Sequence, residues 1–356
     1  MPKRSALFAI LSLILSVNQF APAANAPRKH QELRVYHIGN SVTDAIHYKS
    51  LQQMARANGD TYVYGRHMIP GAPLQFIWDK PETGFKENPY GYYPTALKDY
   101  EWDVITLQPF DRQLDSKDGF GDLPHCKKFI DLALPKSPGV QVYVYERWPR
   151  RKEKVKNNPS SGYEPFDYQQ QWQRKYTGKW DGSNETRNYF EQLTKALLDA
   201  YPKLEKPVLM IPVGEVLFEL DKRIKAGKVP GLESIEALYV DGIHFNNVGA
   251  FIAGTTFYAT MFKTDPRGVD ARAYGPGKSE KDKPIAPELA KAVQDVVWEV
   301  VSTHPLAGVK GEGAVVSSET DDSAAKDSAP AAPAKSSAPA EKGKAAGGRT
   351  VPARGR

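Results

Sequence analysis

Three residues have the types and the order that nucleophilic chemistry needs: Ser41 in "YHIGNSVTDAIHY" (36–48), and Asp241 and His244 in "YVDGIHFNNVGAFIAG" (239–254). Taken alone, Ser41 fits two roles. A serine between a strand-like run and a helix-like pattern is a favoured helix N-cap. The same place sets its oxygen at a strand end, where free N–H groups of a helix start can stabilise an oxyanion. Gly39 is permissive at this turn under either role. The second stretch shifts the balance towards chemistry. A serine nucleophile needs a base, the base needs an orienting carboxylate, and one turn can hold aspartate and histidine three residues apart as a unit. "GNSVTD", paired with "DGIH", therefore reads as nucleophile and helix cap together.

The elements that must position these residues follow from pattern. Runs rich in β-branched and aromatic residues at 33–38, 61–68, 103–108, 140–146 and 207–213 predict five buried strands. Apolar residues at three- and four-residue steps predict helices over 45–57, 123–134, 186–201, 215–226, 246–262 and 287–303. The alternation predicts an α/β fold with a parallel sheet covered on both faces, and places Ser41, Asp241 and His244 on one edge of it. Residues 147–182 break the rhythm, and a connection of that length is more often functional than idle. The stretch holds six Lys or Arg between Arg147 and Lys156, then Tyr163, Phe166, Tyr168, Trp172, Tyr176 and Trp180. It reads either as a basic surface loop with core aromatics, or as a lid offering stacking faces to sugars and cations to an acidic substrate. In the second reading Arg147 and Trp148 are substrate-binding candidates, as is His47 on the first helix.

The chain ends bound the class. Lys3 and Arg4, the apolar run Ala6 to Val17 and Ala24-Asn25-Ala26 have the form of a cleaved export signal over 1–26, with the apolar run too short to span a membrane. From Gly308 onward the Ala, Pro, Ser and Lys content predicts a disordered tail over 308–356. These two ends carry most of the net charge of +6, leaving about +2 on the single domain expected over 27–307, so the composition gives no case for nucleic-acid binding. Cys126 is the only cysteine, which excludes an intramolecular disulfide and predicts a buried thiol. Position 43 is threonine, so there is no G-x-S-x-G elbow, and "GPGKSEK" lacks both the first glycine and the preceding strand of a phosphate loop. The seven histidines show no metal-ligand spacing, so neither a metal nor another cofactor is expected, and His37 and His67 in strands are expected to be core residues.

At these residues the sequence resembles the SGNH hydrolase family, the GDSL-like esterases. "IGNS" at 38–41 matches the first family block and "DGIH" at 241–244 the last, so the resemblance spans about 33–265. It implies a flavodoxin-like three-layer αβα sandwich with a five-stranded parallel sheet. It also implies Ser41 as nucleophile, His244 as base and then acid, Asp241 as the orienting group, and the Ser41 and Gly71 amides as oxyanion donors. The third block departs from G-x-N-D: the strand ends "VITLQPFD", and the resemblance puts Gln108 where the third donor belongs, as in a branch of the family that is similar in this L-Q pattern. The implied function is an exported serine esterase, periplasmic or extracellular, that removes O-acetyl groups from a polysaccharide. The alternatives are a lysophospholipase or thioesterase, and a non-catalytic carbohydrate-binding or envelope protein on the same fold.

Overall fold

A computed structural model describes residues 29–277 and 279–309. The leader expected over 1–26 and the expected tail from 310 onward lie outside the described residues; Gly308 and Val309, expected to begin the tail, are described, and Val309 is buried. The chain runs through β1 (Glu32–Gly39), α1 (Tyr48–Ala57), β2 (Thr61–Met68), α2 (Leu74–Asp79), β3 (Phe85–Lys86), α3 (Tyr93–Asp99), β4 (Val104–Leu107), α4 (Asp122–Ala133), β5 (Gln141–Glu146), α5 (Tyr168–Trp172), α6 (Arg187–Ala200), β6 (Leu209–Pro212), α7 (Val213–Lys225), α8 (Asn247–Met261) and α9 (Pro287–Thr303).

The strands form one sheet in the order β3-β2-β1-β4-β5-β6. Five of them are parallel, and β3 pairs antiparallel with β2 through His67 to Lys86 and Met68 to Phe85. The sheet thus has six strands where the sequence pattern predicts five. The extra strand is two exposed residues with no apolar alternation to announce it. β4, β5 and β6 are buried along their whole length, as "VITL", "QVYVYE" and "LMIP" demand of strands covered on both faces. α1, α7, α8 and α9 pack together in one layer, and α2, α3, α4 and α6 in the other. α8 is buried all round, including Gly249, Gly254 and three threonines, and seats the chain immediately after His244 against the sheet.

His37 and His67 are core residues. His37 shares hydrogen bonds with Thr106 Oγ1 and Tyr62 Oη at 2.7 and 2.6 Å. Burial, helped by the Arg66 charge, lowers its pKa to about 3. Burial likewise lowers His67 to about 4. Cys126 is buried and its thiol is pushed up by desolvation. Among the described residues no helix is long and apolar enough to cross a membrane.

Strand order reverses at β1, with β2 on one side and β4 on the other. In such sheets the crevice beyond the carboxyl ends at this switch point receives ligands. Ser41 follows the end of β1 by two residues, and Gln108 directly follows β4.

Candidate active site

The turn after β1 is built by close approach. A Cβ on Gly39 would lie 2.0 Å from Thr43 Oγ1 and 2.7 Å from Gln108 Cβ, so only glycine lets the loop close on β4. Asn40, fully buried, then fixes the turn: its Oδ1 accepts from Val42 N–H at 3.0 Å, and its Nδ2 donates to Ala72 O at 3.0 Å. Asn40 N–H in turn donates to Gln108 Oε1 at 3.1 Å. The N-cap of the following 3-10 turn is Val42, and His47 at φ +49 separates that turn from α1, so the helix expected from residue 45 starts at Tyr48. Ser41 therefore caps nothing. Its Oγ is instead 2.8 Å from His244 Nε2.

The base sits on a closed turn. His244 Nδ1 is 2.7 Å from Asp241 Oδ2, while Asp241 Oδ1 accepts the N–H groups of Ile243 and His244 at 2.8 Å each. Desolvation pushes the Asp241 carboxyl up, but the hydrogen bonds from His244 and the turn amides outweigh it and bring the pKa to about 2. The hydrogen bond that His244 donates to Asp241 raises the His244 pKa against an opposing desolvation. A carboxylate that stays ionised thus holds the Nδ1 proton and leaves Nε2 facing the serine oxygen.

Residues 148–151, just beyond β5, hold this turn from outside. Trp148 Nε1 donates to Ile243 O at 2.8 Å, and Arg151 N–H donates to Gly242 O at 2.8 Å. Both carbonyls between Asp241 and His244 are thereby occupied. Trp148 also stacks on Phe245 with ring centroids 3.8 Å apart, and Tyr239 Oη donates to Pro149 O at 3.1 Å. Lys281 Nζ donates to the Tyr239 and Val240 carbonyls at 2.9 and 3.0 Å. Lys281 does not stand out in the sequence, Arg151 figures there only among the basic residues of 147–156, and Asn40 only within the IGNS block. For Asn40 there was a signal, since an asparagine two residues ahead of a free N–H can form this turn.

Two backbone donors lie in the loops that follow the carboxyl ends of β1 and β2. Gly71 has φ +68, a conformation that side chains resist, and is exposed in the turn after β2. Among the described residues neither Gly71 N–H nor Ser41 N–H has a protein acceptor, and the Asn40 to Ala72 bond ties their loops together. Gln108 is different. It is fully buried, its Oε1 accepts from Asn40 N–H and from Thr43 Oγ1 at 3.2 Å, and its Nε2 donates to Pro109 O at 2.8 Å. As placed, it braces the serine loop and is not presented to a substrate, so the expected third donor is corrected to a supporting residue.

Two of the three other substrate-binding candidates, Arg147 and Trp148, are also corrected, whereas His47 is exposed in the turn before α1. Arg147 and Trp148 are both 0 % exposed. Arg147 lies 4.7 Å over the Phe110 ring and pairs with Glu185 at 2.9 Å. Burial pushes the Glu185 carboxyl up, and the Arg147 and Arg150 guanidiniums outweigh it and hold it below its usual range. His47 stacks on Tyr274, with centroids 6.2 Å apart. Of the insertion's aromatics, Tyr168 and Trp172 are buried in the core beside α7, whereas Trp180 is 68 % exposed. Among the described residues no group of three or more His, Cys, Asp or Glu could hold a metal ion.

No protein-family model matches this chain, and neither does any curated protein. Solved structures to which this chain shows some likeness include a DUF4886 family protein from Bacteroides uniformis, at 16 % identity and TM-score 0.49, covering 76 % of this chain and 95 % of that one. The periplasmic domain of a lipopolysaccharide acetyltransferase from Salmonella ser. Paratyphi A is similar at 12 % identity and TM-score 0.29, covering 52 % of this chain and 68 % of that one. A carbohydrate esterase family 2 enzyme from Corynascus thermopiles is similar at 12 % identity and TM-score 0.26, covering 54 % of this chain and 59 % of that one. Likeness at this level does not transfer function, and the chemistry rests on the side chains of this site.

Proposed function

We propose that this chain is a serine ester hydrolase of the SGNH type. The observation that carries the reading is the unbroken chain from Ser41 Oγ through His244 to an ionised Asp241, at 2.8 and 2.7 Å. Ser41 Oγ attacks the ester carbonyl as His244 Nε2 takes its proton, and the Ser41 and Gly71 amides hold the oxyanion. The tetrahedral centre collapses, the C–O bond to the alcohol breaks, and the alcohol leaves with the proton from His244. Water, deprotonated by His244, then attacks the acyl-enzyme carbonyl. Collapse of that second centre releases the carboxylic acid and returns the proton to Ser41.

The ester we favour is an O-acetyl group on a polysaccharide. A hollow of about 590 Å³ adjoins the Asp241 turn, walled by Phe110, Tyr163 and Ile243 together with charged groups of 150–156. A mixed wall of this kind suits sugar rings better than a long acyl chain, which needs a continuous apolar channel. The leader sequence supports export of the enzyme. The test is labelling with a fluorophosphonate probe together with hydrolysis of an aryl acetate. Wild type should label and turn over, and Ser41→Ala should do neither. Labelling that persists in Ser41→Ala would refute the nucleophile assignment. Absence of turnover on every acetyl, acyl and sugar ester would leave the non-catalytic alternative.

A further inference from the structure

Beyond the triad, the insertion forms a second hollow of about 380 Å³, walled by Trp180, Arg174, Asn184, Gln171 and the Asp111 to Arg150 pair. It shares Arg150 and Lys152 with the hollow at the Asp241 turn, so the two hollows adjoin along the 150s segment. Trp180 is 68 % exposed, and the Arg112 guanidinium lies 5.5 Å from its ring centroid. A cation on the indole helps fix an otherwise solvated ring. An aromatic ring held in a surface hollow beside amides and carboxylates is the chemistry that receives a sugar: the ring meets the C–H face, and the planar polar groups meet the hydroxyls.

Charge then decides which kind of sugar. The basic residues of this segment are largely spent inside the protein. Arg150 pairs with Asp111 at 2.8 Å and with Glu185 at 3.4 Å, Lys152 with Glu164 at 3.0 Å, and Arg174 with Asp181 at 3.8 Å. Arg151 pairs with Glu236. Of the cations lining the two hollows, Lys156 alone has no ion-pair partner among the described residues. Hollows whose lining charges are mostly paired, with Lys156 and the Arg112 on Trp180 the cations left without an ion pair among the described residues, offer only a weak field to draw in a polyanion. Of the cationic stretch that the sequence suggests for an acidic substrate, Arg147, Arg150, Arg151 and Lys152 are paired in place, and Lys154 and Lys156 have no ion pair among the described residues.

We propose that the Trp180 hollow is a distal subsite for an uncharged glycan, whose chain runs from there past Arg150 to Ser41. The proposal rests on the esterase reading for its purpose, but its test does not depend on turnover. Ser41→Ala protein is run through native gels containing acetylated glucomannan, which is neutral, or partly acetylated polygalacturonate, which is anionic. Retardation by the glucomannan is expected, becoming about fivefold weaker when Trp180→Ala is added and restored by Trp180→Phe. Unchanged thermal unfolding of the Trp180 variants separates loss of binding from loss of fold; should Trp180→Ala unfold early, Trp180→Gln serves in its place. Equal retardation with and without Trp180, or none by the glucomannan, overturns the subsite. Stronger retardation by polygalacturonate that salt abolishes overturns its neutral character. Aryl acetate hydrolysis by the Ser41 form tests the esterase reading separately, so either can fail alone.

Discussion

At the scale of single residues, the proposed chemistry depends on the charge state of one imidazole. His244 acts as a base only when neutral, and Asp241 raises its pKa above the ordinary histidine value. Activity should therefore fall as the pH drops through that raised pKa and level off above it. Asp241→Asn removes the negative charge and with it the charge-assisted hydrogen bond that raise it, leaving only a neutral amide partner, so the acid limb of the profile should move to lower pH. The same substitution frees the wrong tautomer to form, and kcat should fall by roughly 10³- to 10⁴-fold. A pH profile of kcat/KM on an aryl acetate for both proteins checks the two effects at once; an acid limb that does not move would show that Asp241 does not govern His244. Ser41, Asp241 and His244 were legible because their chemistry requires specific side chains in a specific order. Gln108, Arg147 and Trp148 were misread for the opposite reason. Amides, guanidiniums and indoles serve equally well as ligands or as buried braces, and only the partners they find in the fold distinguish the two.

At the scale of elements, the Asp241 to His244 turn is preceded by no strand and draws its rigidity from neighbours. The 148–151 segment occupies both inner carbonyls, and α8 begins directly behind, with Asn246 Oδ1 accepting from Gly249 N–H at 3.1 Å. Trp148 is thus a positioning residue acting through His244. Trp148→Phe keeps a ring against Phe245 but leaves Ile243 O without its donor, at a cost of about 1–3 kcal/mol. If the loss falls on the turn's geometry, kcat should drop by about tenfold or more while KM for a small ester stays near its wild-type value. A purely structural role would lower the melting temperature and leave kcat per folded molecule alone. The parallel strands, which the sequence shows as continuous apolar runs, positioned the crevice correctly. β3 escaped because two exposed residues carry no period, and the start of α1 because the left-handed His47 has no signature that separates it from a helical residue.

At the scale of the whole molecule, Ser41 and His244 lie 203 residues apart and meet only because α8 packs against the sheet. Phe257 of α8 shows how directly this packing connects the two. It is fully buried, with its ring 4.7 Å from Tyr145 on β5 and 6.0 Å from His37 on β1. Truncating such a side chain removes apolar contact and leaves a cavity, and Phe257→Ala should destabilise the fold by about 3–5 kcal/mol. Because the same helix carries the base towards the serine, loss of the site and loss of the fold should be one event. In urea, the midpoint for loss of fluorophosphonate labelling should coincide with that for loss of near-ultraviolet circular dichroism, and Phe257→Ala should move both together. Labelling that disappears at lower urea than the circular dichroism would mean that the 239–246 turn opens on its own. In that case its anchors at Trp148, Arg151 and Lys281 would be weaker than the core behind it, and the triad would form and dissolve on an intact sheet.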